Sequence, residues 1–327
     1  MNAIKPIPLQ QRGLAASQLV LGCMGLGGGW DNSPVTAEHI KEGHAAVEAA
    51  LESGITMFDH ADIYTRGKAE QVFGQILRDK PDLRESIIIQ SKCGIKLGSG
   101  EDGSNHFDFS EAHITSSVDG ILQRLGVEYL DILLLHRPDP LMEPEEVARA
   151  FARLKESGKV RYFGVSNMSA GQIRLLQAYT EEPIVANQLE MSLERIGFLE
   201  TGVHVNQEAA KDNVFPEGTL EFCRLENIQL QAWSPLAKGL FSGRPLDDQP
   251  DHVKKTAQLV GRLAEEKGTT REAVVLAWLM THPAAIQPVI GTSNPARIRA
   301  CKDAARLRLT RSEWYNLYTA SRGKVLP

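Results

Sequence analysis

Cysteine, unbalanced charge and long apolar segments are all scarce in this chain of 327 residues. The 4 cysteines are scattered without a Cys-x-x-Cys pair, which argues against a zinc site or a redox dithiol and fits a reducing, cytoplasmic location. The formal net charge is only -5, so we expect no binding to nucleic acid or to an anionic membrane. No apolar run approaches the roughly 20 residues that span a bilayer, and residues 1–6 lack the apolar core of a signal peptide.

The chain instead contains a regular alternation of short apolar runs and amphipathic stretches. The runs predicted as strands are 19–22, 55–58, 87–91, 131–135, 161–165, 184–188, 228–232 and 286–290. The stretches predicted as helices are 36–53, 68–79, 110–125, 144–157, 169–179, 216–226, 252–267 and 296–305. Buried strands separated by helices indicate parallel pairing with the helices outside. Eight such units favour a closed barrel over an open doubly wound sheet, so we expect an α/β protein, a (β/α)8 TIM barrel that forms a single domain over residues 1–327.

The irregular segments predict two additions to the barrel. Pro6-Ile7-Pro8-Leu9, which precedes Gly13, predicts a short N-terminal β-hairpin across the bottom of the barrel. Three Gly-rich, polar or irregular segments, 97–108, 197–215 and 237–249, each follow a strand. We therefore expect long loops at the C-terminal face, where such loops usually shape the substrate pocket.

Four polar side chains lie at or just beyond the ends of three successive predicted strands. Asp59, Lys92 and His136 each close an apolar run, and Tyr64 follows Asp59 in the next loop. A polar group at the end of a buried strand is costly unless it is paired or used, and the carboxyl ends of barrel strands meet at one face. Each residue alone has an ordinary explanation as a cap, a packing residue, a surface charge or a turn. The four in this order favour one shared site.

Tyr64 is the candidate general acid of that site. A free phenol has a pKa near ~10 and donates poorly at neutral pH, but a nearby ammonium such as that of Lys92 stabilises the phenolate and lowers the pKa. We expect Asp59 to pair with Lys92, and His136 to orient a substrate carbonyl by donating a hydrogen bond. This arrangement suits proton donation to an oxygen that gains negative charge.

Later segments of the chain suggest that the partner reaction is hydride transfer. Ser166, Asn167 and Gln188 follow or end two predicted strands and can hold a carboxamide through matched donors and acceptors. Trp233 ends the seventh strand, where its ring can stack on a nicotinamide or simply pack in the core. The segment 291–297, from Gly291 to Arg297, places small polar residues and an arginine at a helix start, which is typical of phosphate binding but also of an ordinary capped helix.

With these motifs identified, the chain resembles the aldo-keto reductase family over nearly its whole length. The motifs are Phe58-Asp59-His60-Ala61-Asp62-Ile63-Tyr64, Gln90-Ser91-Lys92, Leu134-Leu135-His136-Arg137-Pro138, Gly164-Val165-Ser166-Asn167, Gln188, Trp233-Ser234-Pro235-Leu236 and Gly291-Thr292-Ser293. The ordered set is specific, although each motif is short. The end of the chain is most similar to a bacterial, YdhF-like branch of mostly uncharacterised oxidoreductases.

The resemblance implies a (β/α)8 barrel, NADPH as cofactor and carbonyl reduction by ordered hydride transfer. It implies a catalytic tetrad of Asp59, Tyr64, Lys92 and His136. It assigns Ser166, Asn167, Gln188 and Trp233 to the nicotinamide, Ser234, Leu236 and Gly239 to the pyrophosphate, and Ser293 and Arg297 to the adenosine phosphate.

Two positions depart from the family pattern. Many relatives have a lysine at the position of Gly291 and a Glu-Asn pair at the position of Ala300-Cys301, so fewer contacts to adenine and to the 2′-phosphate are expected here. Arg297 has a planar fork of donors that suits a 2′-phosphate, so we expect NADPH to be preferred, with NADH possible. The stacking residue is often tyrosine in the family, and Trp233 is expected to serve as well.

Three other interpretations of the sequence compete with this one. The glycine cluster within 21–30 suggests a Rossmann phosphate loop, but Trp30 occupies the third glycine position of Gly-x-Gly-x-x-Gly, so the glycines are expected to let the first loop pass close to the nicotinamide. A metal-dependent barrel lacks a ligand set, because Asp59, His60 and Asp62 point in different directions. A nucleotide-binding, redox-sensing regulatory subunit with negligible turnover, as found for some barrels of this family, is the main alternative to an enzyme.

The identity of the carbonyl substrate is open at this level. Trp30, Phe107 and Phe109 suggest an apolar or aromatic molecule, with Trp30 lining the pocket. We expect a small-molecule carbonyl substrate, no nucleic acid or membrane partner and no bound metal. A monomer is expected, because the sequence has no heptad pattern and no long exposed apolar stripe.

Overall fold

Eight parallel strands close into a barrel in the computed structural model, which describes residues 6–98, 100 and 103–327. In chain order they are β1 (Val20–Gly22), β2 (Met57–Asp59), β3 (Ile88–Cys93), β4 (Leu130–Leu135), β5 (Val160–Ser166), β6 (Ile184–Glu190), β7 (Gln229–Trp233) and β8 (Gln287–Ile290). Each strand pairs in parallel with the next one in the chain, and β8 pairs with β1 to complete the ring. The predicted α/β barrel is therefore confirmed.

Helices cover the outside of this barrel. The main ones are Ala37–Glu52, Lys68–Asp79, Glu111–Leu125, Pro144–Glu156, Ala170–Gln177, Thr219–Leu225, Asp251–Glu266, Arg271–Thr281 and Pro295–Ala300. They bury an apolar stripe against the outer faces of the strands. Phe151, for example, stacks on Phe163 of β5 with ring centroids 4.1 Å apart. In the described part of the chain no helix combines the length and apolarity needed to cross a bilayer.

Three α-helices of more than one turn lie, in the described part of the chain, where the sequence analysis predicts none. Gly197–Val203 falls in a segment predicted as loop, and Arg271–Thr281 and Arg311–Arg322 lie between or beyond the predicted elements. Arg271–Thr281 is buried continuously from Ala273 to Leu279, so it lacks the polar face by which an amphipathic helix is recognised. The C-terminal helix covers it, with two tryptophan rings stacked 5.4 Å apart.

The predicted N-terminal β-hairpin is wrong. Pro8–Gln11 forms a single helical turn, and the described residues before β1 contain no strand. Proline suits the first position of a helix because its missing N–H is not needed there, and Gln10 Oε1 accepts a hydrogen bond from the Ile7 backbone N–H at 3.1 Å. Ile7 and Leu9 are buried in the same apolar cluster as the first residues of β2 and β3. The turn therefore closes the bottom of the barrel, where the hairpin was expected.

The predicted long loops follow β3, β6 and β7 and so extend from the carboxyl ends of the strands. Among the described residues of the first loop, Ile95–Lys96 pair with His106–Phe107 as a short antiparallel ladder. Within that loop, residues 99, 101 and 102 lie outside the described part. The second loop contains Gly197–Val203 and a 3-10 turn at Glu208–Asp212, and the third begins with a 3-10 turn at Ala237–Gly239.

Leu9→Ala should reduce the free energy of unfolding by about 2–5 kcal/mol, because it removes a fully buried side chain from the apolar cluster at the bottom of the barrel. Urea denaturation followed by tryptophan fluorescence measures this. Gln11→Ala, at an exposed position of the same turn, is the matched control and should change stability little. Equal stabilities of the two variants would show that this turn does not seal the barrel.

Candidate functional site

The carboxyl ends of β2 and β3 bring Asp59 and Lys92 into direct contact. Lys92 Nζ donates to Asp59 Oδ2 at 2.6 Å and to Oδ1 at 2.8 Å, and both side chains are buried. The amine also donates to the His60 carbonyl at 2.9 Å. A buried ion pair persists only when its geometry is good and further hydrogen bonds satisfy its remaining polar atoms, as they do here.

Tyr64 is held against this pair by a left-handed turn. Lys92 Nζ donates to the Tyr64 hydroxyl at 3.1 Å. The next residues, Thr65 and Arg66, have φ values of 46° and 59°, and Gly67 has a φ of 84°. Non-glycine residues adopt this conformation only when their surroundings enforce it. Here Thr65 Oγ1 donates to the Leu26 carbonyl at 2.9 Å, which ties the turn to the first loop.

His136 completes the group at the end of β4. Its half-buried ring lies edge-on to the Tyr64 ring, with centroids 5.9 Å apart. Its Nδ1 is buried and has no hydrogen-bond partner among the described residues. The four side chains selected from the sequence, Asp59, Tyr64, Lys92 and His136, thus lie together at one end of the barrel.

The protonation of the group differs in one respect from the expectation. Burial raises the pKa of Tyr64 above its ordinary value, and the lowering by the Lys92 ammonium is smaller, so the net lowering expected from the sequence is wrong. Burial acts to lower the pKa of Lys92, but Asp59 and then Tyr64 raise it above the ordinary value, which keeps the amine charged. Burial, Lys92 and Arg137 hold the pKa of His136 well below its usual range, so its imidazole is neutral at neutral pH.

A layer of glutamine side chains inside the barrel surrounds Asp59, and the sequence analysis assigned a role to only one of them, Gln188. Gln90 Nε2 and Gln188 Nε2 donate to Asp59 Oδ1 at 2.6 Å and 3.1 Å, and both donate to Gln231 Oε1. Gln231 in turn donates to Gln287 at 3.0 Å. The sequence does contain a signal for this layer, because three neighbouring strands, β6 to β8, each have a glutamine at an inward position. Gln188 was expected to hold a carboxamide, but in this structure its amide N–H groups donate hydrogen bonds within the glutamine layer.

Beside this layer, β5 and β7 bring together three residues assigned to the nicotinamide. Asn167, with a φ of 59°, donates through Nδ2 to Ser166 Oγ at 2.7 Å. Trp233 Nε1 donates to Asn167 Oδ1 at 3.1 Å, which fixes the indole ring at the rim of the barrel. The guanidinium of Arg137 lies 5.7 Å from the Trp233 ring centroid. These contacts form a small platform of amide, hydroxyl and aromatic groups next to His136.

The residues assigned to the phosphates lie on the loops after β7 and β8. Ser234, Lys238 and Gly239 adopt positive φ values of 52°, 53° and 79°, so the chain turns sharply there. A Cβ placed on Gly25 would lie 3.5 Å from Ser293 Oγ. The loops after β1 and β8 therefore lie close together at this point. Leu236 is half-buried against the core, and Gly291 and Arg297 are exposed. Asn294, missed as a cap, accepts the backbone N–H groups of Ala296 and Arg297 at 3.0 and 3.2 Å.

The residues suggested for the substrate pocket separate into two groups. Trp30 is 48% exposed, and its carbonyl accepts a hydrogen bond from Arg66 Nε at 3.3 Å, which places it above the Tyr64 turn. Phe107 is also partly exposed. Phe109 is buried against Gly94 and belongs to the core.

The structure also bears on two of the competing interpretations. The glycine cluster leads from β1 into a 3-10 turn at Cys23–Gly25, and the next α-helix begins only at Ala37, so the cluster is not a Rossmann phosphate loop. His60 packs edge-on against Phe73, and its two buried ring nitrogens have no hydrogen-bond partner in the described part of the chain. Among the described residues no group of three or more His, Cys, Asp or Glu side chains is arranged to hold a metal ion.

Sequence comparison assigns this barrel to a family. The model of the Aldo/keto reductase family matches residues 18–321. The chain therefore belongs to the aldo/keto reductase family and is an oxidoreductase of that class, as predicted.

Three relatives align over most of the chain. The uncharacterised oxidoreductase YcsN of Bacillus subtilis is 40% identical over 86% of this chain and 88% of the relative. A 6-dehydroglucose reductase of Agrobacterium fabrum is 38% identical over 95% and 96%. The oxidoreductase YdhF of Escherichia coli is 36% identical over 86% and 88%. Among solved structures, an aldo-keto reductase of Klebsiella pneumoniae in complex with NADPH has the same fold, with a TM-score of 0.73 at 22% identity over 96% of this chain and 94% of that one.

The buried imidazole of His60 should make the fold sensitive to acid. Burial, with a smaller effect of Lys92, lowers the pKa of His60 to about 3, whereas an unfolded histidine titrates near ~6.5. As the pH falls, the unfolded state therefore binds the proton first. The stability of the folded state is complete above pH ~6.5 and is lost progressively below it. Between pH 7 and 5 the wild type should lose about 2 kcal/mol relative to His60→Leu, measured by urea denaturation at both pH values. Parallel changes in the two proteins would contradict the assignment.

Proposed function

We propose that this protein reduces aldehyde and ketone carbonyls to alcohols, with NADPH as the reductant and Tyr64 as the proton donor. The observation that carries the proposal is the 3.1 Å contact between the Tyr64 hydroxyl and a Lys92 ammonium that Asp59 holds in place at 2.6 Å. A fixed cation beside a phenol stabilises the phenolate that remains after proton donation.

The residues around this group fit a nicotinamide cofactor. Ser166 and Asn167 supply a hydroxyl and an amide for a carboxamide, and Trp233, fixed by its hydrogen bond to Asn167, supplies a flat ring. Ser293 and Arg297 supply a hydroxyl and an exposed cation for phosphate groups. When bound, NADPH supplies the hydride that adds to the carbonyl carbon.

The remaining steps belong to side chains of this protein. The neutral imidazole of His136 can donate a hydrogen bond to the carbonyl oxygen and orient it toward Tyr64. The oxygen would then take the Tyr64 proton as the carbon gains the hydride, so one carbonyl becomes one alcohol. Tyr64 is left as a phenolate and takes up a proton from water before the next turnover. Lys92 remains charged throughout because Asp59 balances it. The His136 ring is only half-buried, so one edge of it stays accessible to a ligand at this end of the barrel.

We propose two candidate substrate classes, one from the exposed side chains at the rim of the site and one from the name of a relative. The exposed Trp30 and Phe107 favour an aromatic or apolar aldehyde. One relative is named a 6-dehydroglucose reductase, which adds a sugar aldehyde to the candidates. Steady-state NADPH oxidation with an aromatic aldehyde and with 6-dehydroglucose distinguishes them. Cofactor binding without turnover on either would instead favour a nucleotide-sensing subunit.

Tyr64→Phe should lower the rate of carbonyl reduction by roughly 10²–10⁴-fold, because it removes the proton donor while keeping the ring. The dissociation constant for NADPH, measured by fluorescence titration, should stay within about twofold, since the phenol hydroxyl contacts the carbonyl rather than the cofactor phosphates. The same substitution with near wild-type turnover would remove Tyr64 as the acid.

Arg297→Ala should weaken NADPH binding by about 10–100-fold, since a charge-assisted hydrogen bond to the 2′-phosphate is lost, and should change NADH binding little. Arg299→Ala is the matched control, because Arg299 lies on the same short helix but pairs with Glu52 at 2.8 Å. Equal losses for NADPH and NADH in the Arg297 variant would rule out the 2′-phosphate assignment.

A further inference from the structure

A second buried carboxylate lies behind the Tyr64–Lys92 pair, on the outer side of β3. Glu70 is fully buried in the helix that follows the Tyr64 turn. Its Oε1 accepts a hydrogen bond from Ser91 Oγ at 2.8 Å, and its Oε2 accepts one from Arg124 Nε at 2.7 Å. Successive side chains of a strand point to opposite faces, so Ser91 reaches outward while Lys92 reaches into the barrel. Glu70 thus holds the residue adjacent to Lys92.

Arg124 lies against the turn that carries Tyr64. A Cβ placed on Gly67, the last residue of that turn, would lie 3.0 Å from Arg124 Cδ. A Cβ on Gly74 would lie 2.3 Å from the Arg124 carbonyl oxygen. The two glycines therefore allow the helix Glu111–Leu125 to approach the helix Lys68–Asp79 closely at this point. The Arg124–Glu70 ion pair joins the two helices where the Tyr64 turn meets them.

Asp62 shows that the same charges act on the segment between β2 and Tyr64. Its backbone N–H donates to the Lys92 carbonyl at 3.0 Å, which joins this segment to β3. Burial, and then the Glu70 carboxylate, raise the pKa of Asp62 to about 7, while Arg124 acts to lower it. Glu70 and Arg124 therefore lie within electrostatic range of the loop that supports the proposed proton donor.

We propose that Glu70 is a positioning residue for carbonyl reduction, because its paired contacts to Ser91 and Arg124 hold Lys92 and the Tyr64 turn at their mutual distance. The proposal rests on the proposed function of Tyr64 as proton donor. From inside the barrel Asp59 fixes the Lys92 amine, and from outside Glu70 fixes the backbone on which Lys92 and Tyr64 are carried. Neither contact involves the surfaces assigned to NADPH.

Glu70→Gln tests the proposal, because it keeps the shape of the side chain and removes the charge that pairs with Arg124. Turnover is measured per NADPH-binding site, with the sites counted by fluorescence titration, so that loss of folded protein does not count as loss of catalysis. We expect kcat per site to fall roughly tenfold, since small displacements of catalytic groups are costly, and the dissociation constant for NADPH to stay within about twofold.

Asp131→Asn is the matched control. Asp131 is also buried, pairs with Arg84 at 2.9 Å and accepts a hydrogen bond from the Ile89 backbone N–H at 2.9 Å. It therefore holds β3 in a comparable way, but at the opposite end of the barrel, where residues serve stability rather than catalysis. Its kcat per site should stay within about twofold of the wild type.

The outcomes separate the two proposals. Unchanged kcat per site in Glu70→Gln, or an equal fall in Asp131→Asn, would overturn the positioning role while leaving the proposed function intact. Should Glu70→Gln not fold, Ser91→Ala removes only the link between Glu70 and β3, and kcat per site should fall roughly threefold; an unchanged value would again overturn the role. Near wild-type turnover of Tyr64→Phe, measured alongside, would overturn the proposed function and the positioning role with it.

Discussion

The buried ion pair between Lys92 and Asp59 is the interaction on which the upper end of the barrel depends. A charge in this interior is tolerated only because its partner lies within 2.6 Å and because further groups satisfy both ends. Those groups come from separate strands: Gln90 from β3 and Gln188 from β6 donate to the carboxylate. A shift of register in any of these strands would leave a buried charge unsatisfied, so the pair restricts the barrel to one arrangement.

The polar interior continues away from this pair in an ordered chain of amides. From Asp59 the hydrogen bonds pass through Gln90 and Gln231 to Gln287, whose amide donates to the Ser17 carbonyl at 2.6 Å. Buried polar groups stabilise a single structure when nearly all of them are satisfied. Below this layer the interior is apolar, and the turn at Pro8–Gln11 closes it. The barrel therefore has a polar end, where the candidate site lies, and an apolar end that contributes to stability.

Loops at the polar end are anchored by contacts that are remote in the chain. Glu200, in the helix Gly197–Val203 after β6, accepts hydrogen bonds from Arg322 Nε at 2.8 and 3.0 Å and from the Tyr318 hydroxyl. The C-terminal helix thus fixes a segment whose composition alone predicted an irregular loop. Because such loops shape the substrate pocket, relatives with the same barrel can act on different molecules, and the reaction class is better defined than the substrate.

The alternation of apolar runs and amphipathic stretches was enough to predict the barrel, because the period of burial is a local property of the chain. Strand ends marked by Asp59, Lys92 and His136 likewise predicted one shared site, since barrel topology brings successive carboxyl ends together. Helix Arg271–Thr281 was not predicted, because a helix buried on all sides lacks the polar face by which amphipathic helices are recognised in a sequence.

Other features were decided only by the packed structure. The hairpin predicted near Pro8 is a helical turn, because its apolar residues find their partners inside the barrel rather than on a second strand. The raised pKa of Tyr64 depends on how much water the finished site excludes. The contact of Glu70 with Ser91 and Arg124 joins side chains 21 and 54 positions apart. Sequence pattern encodes which faces are buried, whereas desolvation and long-range pairing arise only when the elements meet.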